Sequence, residues 1–295
     1  MRMQKKSWRI AATLAAAALV VTACGDDGGD GGDGEGSAAE APEFEEGSTM
    51  AEIQEAGTLR VGTKYDQPLF GVNTPSGVEG FDAEIAKLIA EGIWGEGGAD
   101  NIEWSEAVSA VREQVLQEDQ VDIVVATYTI NDDRKELVGF AGPYYHAGQD
   151  IMVADGNPEG IEGVEDLSGK TVCSAEGSTS IENLREMVPD AEEIIALDTY
   201  SACAEELAQG RVDAVSTDNV ILLGLIDERG EFELVDNPFT EEPYGIGVQL
   251  EADDFRDWIN DRLEAIYESG EWAEAWESTA GAISSTPEPP EVDRY

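Results

Sequence analysis

The chain has 295 residues, enough for two domains of ordinary size, and carries 17 Lys and Arg against 64 Asp and Glu, a net charge of −47. Such a charge repels polyanions, which excludes nucleic acid and bare anionic membrane surfaces as natural partners. It also makes each cation informative, because a small acidic ligand could reach such a chain only through a local positive site.

The first residues read as a leader. Arg2, Lys5, Lys6 and Arg9 precede an apolar stretch over 10–21 that is too short to span a bilayer as a mature helix and fits a secretory signal over 1–23. It closes on Val21-Thr22-Ala23-Cys24, which resembles a bacterial lipobox and implies cleavage before Cys24 and acylation of that cysteine. The expected location is therefore outside the cell, lipid-anchored to the outer face of the cytoplasmic membrane. Cleavage would remove four of the 17 cations and no acid, leaving 13 against 64 and a net charge of −51. Residues 24–50, dominated at first by Gly and Asp, lack the apolar content to fold and read as a disordered tether. The spaced ligand positions of a calcium loop are absent from it.

Thr58-Leu59-Arg60-Val61-Gly62-Thr63-Lys64 predicts a first strand, followed by a turn at Tyr65-Asp66-Gln67-Pro68. A helix from Gly80-Phe81-Asp82 presents Ile85, Leu88 and Ile89 on one face. Ile102-Glu103-Trp104 is a short strand, and Val108, Val111, Val115 and Leu116 mark a second amphipathic helix, which carries Arg112. The run over 121–126, apolar except for Asp122, predicts a strand buried on both faces, leading through Thr127-Tyr128-Thr129-Ile130 to Asn131 as a helix cap. A period of two would point the Thr127 and Thr129 hydroxyls one way and Tyr128 the other. Arg134 sits one helical turn beyond the cap. Its planar guanidinium can grip a carboxylate with two parallel hydrogen bonds, at the strand end where open α/β sheets bind ligands. Taken alone, the pattern equally fits an exposed arginine on an N-capped helix. The β-α-β-α-β alternation predicts a mostly parallel sheet.

After a crossover at Gly142-Pro143-Tyr144-Tyr145, which holds the single histidine, His146, a second α/β unit begins at Asp150-Ile151-Met152-Val153-Ala154. Thr171-Val172-Cys173-Ser174 is a strand entering the helix start Gly177-Ser178-Thr179-Ser180, and Glu193-Ile194-Ile195-Ala196-Leu197 is the next. Tyr200 opens a helix through Leu207 that feeds Arg211-Val212-Asp213-Ala214-Val215-Ser216-Thr217-Asp218. This last unit repeats an earlier one: Asp122 to Thr127 spans the same number of steps as Asp213 to Asp218, so the two units present equivalent strand ends. Cys173 and Cys203 are an even pair in an exported chain, which favours a disulfide over two buried thiols. A second crossover falls in Pro238-Phe239-Thr240-Glu241-Glu242-Pro243-Tyr244. Beyond it Phe255, Trp258, Ile259, Leu263, Ile266 and Tyr267 recur at helical spacing as core. Residues 285–295 are Pro-rich and acidic and read as a disordered tail.

Together the Thr127–Arg134 stretch, the Gly-Ser-Thr helix start and the two crossovers resemble the family of periplasmic-type solute-binding proteins (family 3, polar amino acids) of ABC transporters, over about residues 50–280. Within that family Thr63-Lys64-Tyr65-Asp66-Gln67-Pro68, Asp198-Thr199-Tyr200-Ser201-Ala202-Cys203 and Tyr244-Gly245-Ile246-Gly247 are similar to the glutamate-binding lipoproteins of actinobacterial importers. The resemblance implies an α/β fold of periplasmic-binding-protein type II, a two-lobed clamshell. Lobe 1 would be discontinuous, 51–145 plus 242–284, and lobe 2 would be 146–241.

The resemblance also implies roles. Arg134 would grip the α-carboxylate of L-glutamate with Thr127, Thr129 and Thr179 as partners, and Ser178 beside them. Asp218 would take the ammonium, Lys64 and Arg112 the side-chain carboxylate, and Tyr200 the cleft wall. On spacing alone Lys64 also fits a solvated loop lysine and Arg112 a surface arginine. The partners implied are the ligand and the ABC permease subunits with their ATPase, the protein itself being a monomer without cofactor or metal. Glutamine, or aspartate, is the competing ligand, and a receptor sensor the competing role. A lyase-like activity has little to stand on, with one histidine and no hydrolase-like order of nucleophile and base.

Overall fold

The computed structural model describes residues 41–295. The expected signal, Cys24 and most of the tether lie outside the described residues.

The helix α1 (Thr49–Ala56) is followed by β1 (Leu59–Thr63), the short meander β2 (Asp66–Gln67), β3 (Gly71–Thr74) and β4 (Gly77–Glu79), and then α2 (Phe81–Trp94). Next come β5 (Ile102–Glu106), α3 (Arg112–Gln117), β6 (Ile123–Val124), α4 (Asp132–Lys135) and the long crossover strand β7 (Gly139–Ala147). The second lobe comprises β8 (Gln149–Ala154), β9 (Thr171–Ala175), α5 (Thr179–Met187), β10 (Glu193–Leu197), α6 (Tyr200–Ala208), β11 (Ala214–Asp218), α7 (Asn219–Arg229) and β12 (Phe232–Leu234). The chain then returns through β13 (Glu242–Val248) to α8 (Asp253–Ser269) and α9 (Glu271–Ser278) on the first lobe.

Each lobe is built on a five-stranded sheet, β5-β1-β6-β13-β7 in one and β10-β9-β11-β8-β12 in the other. In each, three strands pair in parallel and two more join by antiparallel pairing, so that one strand, β13 or β8, runs against the other four. The repeat read from sequence is physical. Asp122 N–H donates to Arg60 O at 2.8 Å while its carboxylate accepts Arg60 N–H at 2.7 Å. Asp213 makes the same pair of bonds to Thr171, both at 2.8 Å. One aspartate thus precedes the third parallel-paired strand of each lobe, and Thr127 and Asp218 fall at matching distances beyond it.

Lobe 1 is centred on an aromatic cluster in which Tyr145 stacks on Trp276 at 4.9 Å and Phe81 meets Trp276 edge-on at 5.1 Å. Phe70 joins it by folding over the start of α2, where only glycine fits. Gly80 has φ +121, and a Cβ there would stand 2.3 Å from the Phe70 carbonyl. In lobe 2 a disulfide joins Cys173 in β9 to Cys203 in α6, inside the apolar cluster with Tyr200, Leu222 and Leu225.

Several expectations are corrected. The strand over 121–126 pairs as a ladder only at Ile123 and Val124, and Thr127 turns to φ +44, so period-two alternation does not carry to its hydroxyl. The helix α7 has no sequence signature of amphipathicity because Val220, Ile221, Leu222 and Leu225 are buried around most of its circumference. The C-terminal stripe from Phe255 to Tyr267 is one helix, α8, as expected, and a further helix, α9, which the sequence reading did not separate, follows it across Gly270 at φ +89. Residues 44–50, expected in the tether, are packed, with Phe44 edge-on to Trp258 at 5.7 Å and Ser48 capping α1.

The tail over 285–295 is not a loose end. Asp293 N–H donates to Gly142 O, Phe140 N–H donates to the Tyr295 hydroxyl, both at 2.8 Å, and Arg294 reaches Asp261 at 2.7 Å and Glu264 at 2.9 Å. The reason is that β7 is the outer strand of its sheet, and its outward N–H and C=O groups attract a covering segment.

The disulfide closes a loop with a sequence separation of 30, for which loop entropy suggests roughly 3–4 kcal/mol. Replacing both cysteines by serine is expected to lower the melting temperature by several degrees and to raise amide exchange in lobe 2 first. Equal melting of parent and variant would show that the bridge contributes nothing.

Candidate functional site: the interlobe cleft

The lobe-1 wall is organised by Thr127. A β-branched residue in the left-handed region is strained, and such strain persists only where surroundings over-determine it. Here Asp82 Oδ2 accepts the Thr127 N–H at 2.8 Å, and Gln67 Oε1 accepts its hydroxyl at 3.0 Å. Arg112 donates through one terminal nitrogen to the carbonyls of Ala126 at 3.0 Å and Thr127 at 3.2 Å. The Tyr144 hydroxyl in turn donates to Asp82 Oδ1 at 2.7 Å.

Arg112 is therefore not a surface arginine, being 2% exposed, and its guanidinium lies 4.3 Å over the Tyr128 ring. Arg134 lies 5.1 Å from the same ring centre, so one phenol serves two guanidinium groups. Asn131 accepts the Arg134 N–H at 2.8 Å as the expected cap. The Arg134 side chain donates to Thr129 O at 2.8 Å and to Gly177 O of the other lobe at 3.1 Å, and pairs with Glu113 at 3.2 Å.

Lys64 is also buried, with Nζ donating to Ser109 Oγ at 2.7 Å. Burial, and then the nearby Arg112 charge, push its ammonium down to about 7 in spite of Asp66 and Asp82. Arg112 is lowered by burial and by Arg134. Every Lys and Arg among the described residues has a carboxylate within 3.9 Å except these two, Lys64 and Arg112.

The lobe-2 wall comes from the start of α5, the start of α6 and the end of β11. Ser178 is occupied as a cap: its hydroxyl donates to Ala175 O at 2.7 Å and accepts the Ile181 N–H at 3.1 Å. The Thr179 hydroxyl donates to Glu242 Oε2 at 2.8 Å and lies 3.4 Å from the Thr129 hydroxyl across the cleft. The Tyr200 hydroxyl is buried among Ser178, Thr217 and Ser180, and burial raises it above its ordinary value. Asp218 accepts the Tyr244 hydroxyl on Oδ2 at 2.6 Å, while its buried Oδ1 has no partner among the described residues. Burial, followed by the Glu242 charge, raises the Asp218 carboxyl to about 7.

The lobes touch across this cleft at points where no side chain intervenes. A Cβ on Gly177, itself at φ +73, would stand 2.5 Å from Ala110 Cα, and one on Gly224 would stand 2.4 Å from Pro68 O. Asp66 Oδ2 also accepts the Ser201 hydroxyl at 3.2 Å. All nine expected residues thus line or underlie one interlobe site. Sequence reading gave no site role to Ser109, Glu113, Asp82, Glu242 and Tyr244, although Asp82, Glu242 and Tyr244 fall in segments it singled out; Tyr128 was seen, but not as the ring between two arginines. His146 lies on the exposed part of β7, opposite Pro243.

The raised Asp218 fixes a pH dependence. Its carboxyl goes from an ordinary value near 3.8 in the unfolded chain to about 7 when folded, so folding binds a proton between those limits. The stability this confers is fully present below about pH 4 and is lost as pH rises through about 7. Asp218→Asn keeps an acceptor for Tyr244 and carries no charge. Its melting temperature should match the parent at pH 4 and exceed it at pH 8, by about 1–3 kcal/mol in stability. A variant no more stable at pH 8 would show that burial of this charge is not costly.

The model of the bacterial extracellular solute-binding proteins, family 3, matches residues 59–279. The glutamate-binding protein GluB of Corynebacterium efficiens is 38% identical over 275 residues, covering 89% of this chain and 87% of that protein. The glutamine-binding protein GlnH of Bacillus subtilis, an ABC transporter component, is 35% identical over 275 residues, covering 92% and 96%. Among solved structures, the solute receptor for L-cysteine of Neisseria gonorrhoeae superposes with a TM-score of 0.75 at 28% identity, covering 81% of this chain and 96% of that one. The two-lobed fold and the match over both lobes place this chain among the bacterial extracellular solute-binding proteins of family 3.

Proposed function

We propose that this protein captures L-glutamate between its lobes and delivers it to the permease subunits of an ABC importer, held at the outer face of the membrane by a lipid on Cys24. The observation that carries the ligand is the pair Lys64 and Arg112. In a chain with 64 acids these are the two cations left without a carboxylate among the described residues, and both are buried. Burying an unpaired charge costs several kcal/mol, so an anion entering beside Lys64 relieves that cost. The raised Asp218, with one oxygen unpartnered, asks for a cation in the same way. A dianionic amino acid with one ammonium answers both demands, and the 38% identity to a glutamate-binding protein agrees with it.

Roles within the site follow from hydrogen-bond capacity. Arg134 is the carboxylate grip, and the free N–H groups at the start of α5 face the same anion favourably. The Thr179 hydroxyl has one proton, which goes to Glu242, so Thr179 meets the carboxylate through its backbone N–H. Arg112 spends a nitrogen on two backbone carbonyls and holds the Thr127 corner, which moves discrimination between glutamate and glutamine onto Lys64. That occupation is also what favours glutamine as a second reading, together with the glutamine-binding relative.

Isothermal titration with glutamate, glutamine and aspartate, after unfolding and refolding to strip carried ligand, separates the readings. Glutamate should bind tightest. Arg134→Ala should weaken it by more than about 100-fold, since a buried charge pair is worth roughly 3–5 kcal/mol. Lys64→Met should narrow the glutamate-to-glutamine ratio, whereas Arg112→Ala should weaken both alike. Tighter binding of glutamine by the parent would overturn the glutamate reading, and unchanged affinity in the Arg134 variant would remove the assigned grip. Closure has its own test: Gly177→Ala should leave the fold intact and cost at least about tenfold in affinity, because a Cβ there holds the lobes apart. Full affinity in that variant would place the binding contacts away from this seam.

A further inference from the structure

Glu242 formed no part of the expected site. It opens the returning crossover β13, is 2% exposed, and has no Lys or Arg within 4.0 Å among the described residues. Neutral groups hold it in place: Oε2 accepts the Thr179 hydroxyl at 2.8 Å, and Oε1 accepts the Thr240 hydroxyl at 2.8 Å and Asn183 Nδ2 at 3.2 Å. Two residues along the same strand, Tyr244 holds Oδ2 of Asp218 and leaves Oδ1 open. A buried carboxylate with no cation beside it is expensive, and here a second one, Asp218, lies close enough to feel its charge.

We propose that Glu242 is a specificity-determining residue which, from the crossover strand, makes the lobe-2 side of the cleft select the ammonium of the ligand. It does so in two ways. By taking the one proton of the Thr179 hydroxyl it leaves that oxygen as an acceptor only, closed to a ligand carboxylate or carbonyl. By adding a second negative charge near Asp218 it deepens the potential that an ammonium enters. This inference rests on the amino-acid reading above and names the group by which that site rejects ligands of otherwise similar shape.

The groups facing Asp218 are Tyr244 and Glu242 from β13, Tyr145 from β7, Tyr200 from α6, Arg112 from α3 and Arg134 from α4. The three phenols stay neutral near neutral pH, since burial raises each of them. Glu242 is the one charged neighbour that raises Asp218, so its removal pulls the acid limb of binding downward.

The test is titration with L-glutamate between about pH 5 and 8 for the parent, Glu242→Gln and Glu242→Asp, alongside glutarate, which lacks the ammonium. Glu242→Gln should weaken glutamate by about tenfold at pH 8, leave glutarate no weaker, and move the acid limb down by about one pH unit. Glu242→Asp should restore the parental limb. An unmoved limb, or equal weakening of glutamate and glutarate, would mean that Glu242 only braces the hinge and would overturn the proposal. The unliganded protein gives the same answer without any ligand. The part of its stability change with pH that Asp218→Asn removes, as distinct from the parts due to Asp82 and Lys64, which also lie near 7, should have a midpoint lower by a similar amount in Glu242→Gln, and no shift there would overturn the proposal even if the parent bound neither glutamate nor glutamine. Absence of binding in the parent alone would count against the ligand reading, not against the role of Glu242.

Discussion

The structure depends on how Lys64, Arg112 and Arg134 are kept buried within one cleft. Each pays for lost hydration, and Lys64 and Arg112 repel one another, which is why burial and mutual charge bring the Lys64 ammonium down to about 7. The means of holding them are specific. Arg112 and Arg134 share the Tyr128 ring, Arg112 binds two carbonyls at a strained corner, Arg134 has Glu113, and Lys64 has the Ser109 hydroxyl. Only one of these partners is a charge, so the site remains positive, and Arg112 Nε, like Asp218 Oδ1, is left without a partner among the described residues. A site neutralised from within would hold its ligand no better than water does.

The same logic explains the backbone. Thr127 leaves the strand at φ +44 because Asp82, Gln67 and Arg112 each claim one of its polar groups. That corner lies at the end of β6 as Asp218 lies at the end of β11, each launched by an aspartate bonded to the neighbouring strand. The two lobes are one construction used twice, turned toward each other and joined by β7 and β13. The returning strand is more than a connection, because Glu242 and Tyr244 reach from it to α5 and Asp218. The connection between the lobes and the site geometry therefore share the same short segment.

The architecture was legible in the sequence wherever local periodicity and tertiary role coincide. The alternating elements, the repeated Asp122 and Asp213 steps, the Asn131 cap and the helix start at Ser178 stand where the sequence places them. Arg134 could be singled out because strand ends are where ligands are met, whereas the roles expected of Asp218 and Thr179 came from the family resemblance. What could not be read has physical causes. The helix α7 is buried nearly all round, so it shows no stripe, and the tail is ordered by contacts to an edge strand that the tail's own composition does not encode. Glu242 looks like one of many surface acids, and only the crossover geometry turns it inward. Arg112 was visible as a cation but not as the brace of Thr127, because its partners are main-chain carbonyls, which leave no trace in side-chain identity.

The acidic surface bears on the same site. A chain with a net charge of −47 should repel an anionic ligand at long range, and the cleft must overcome that field locally. Screening acts unequally on the two. Surface acids are immersed in solvent, where salt at physiological strength confines their field to about 8 Å, whereas the buried cations lie within a low-dielectric wall that ions do not enter. Rising salt therefore weakens the repulsion outside more than the attraction inside. Pairing every exposed Lys and Arg with a carboxylate serves the same end, since it leaves the cleft as the one place among the described residues where positive charge goes unanswered.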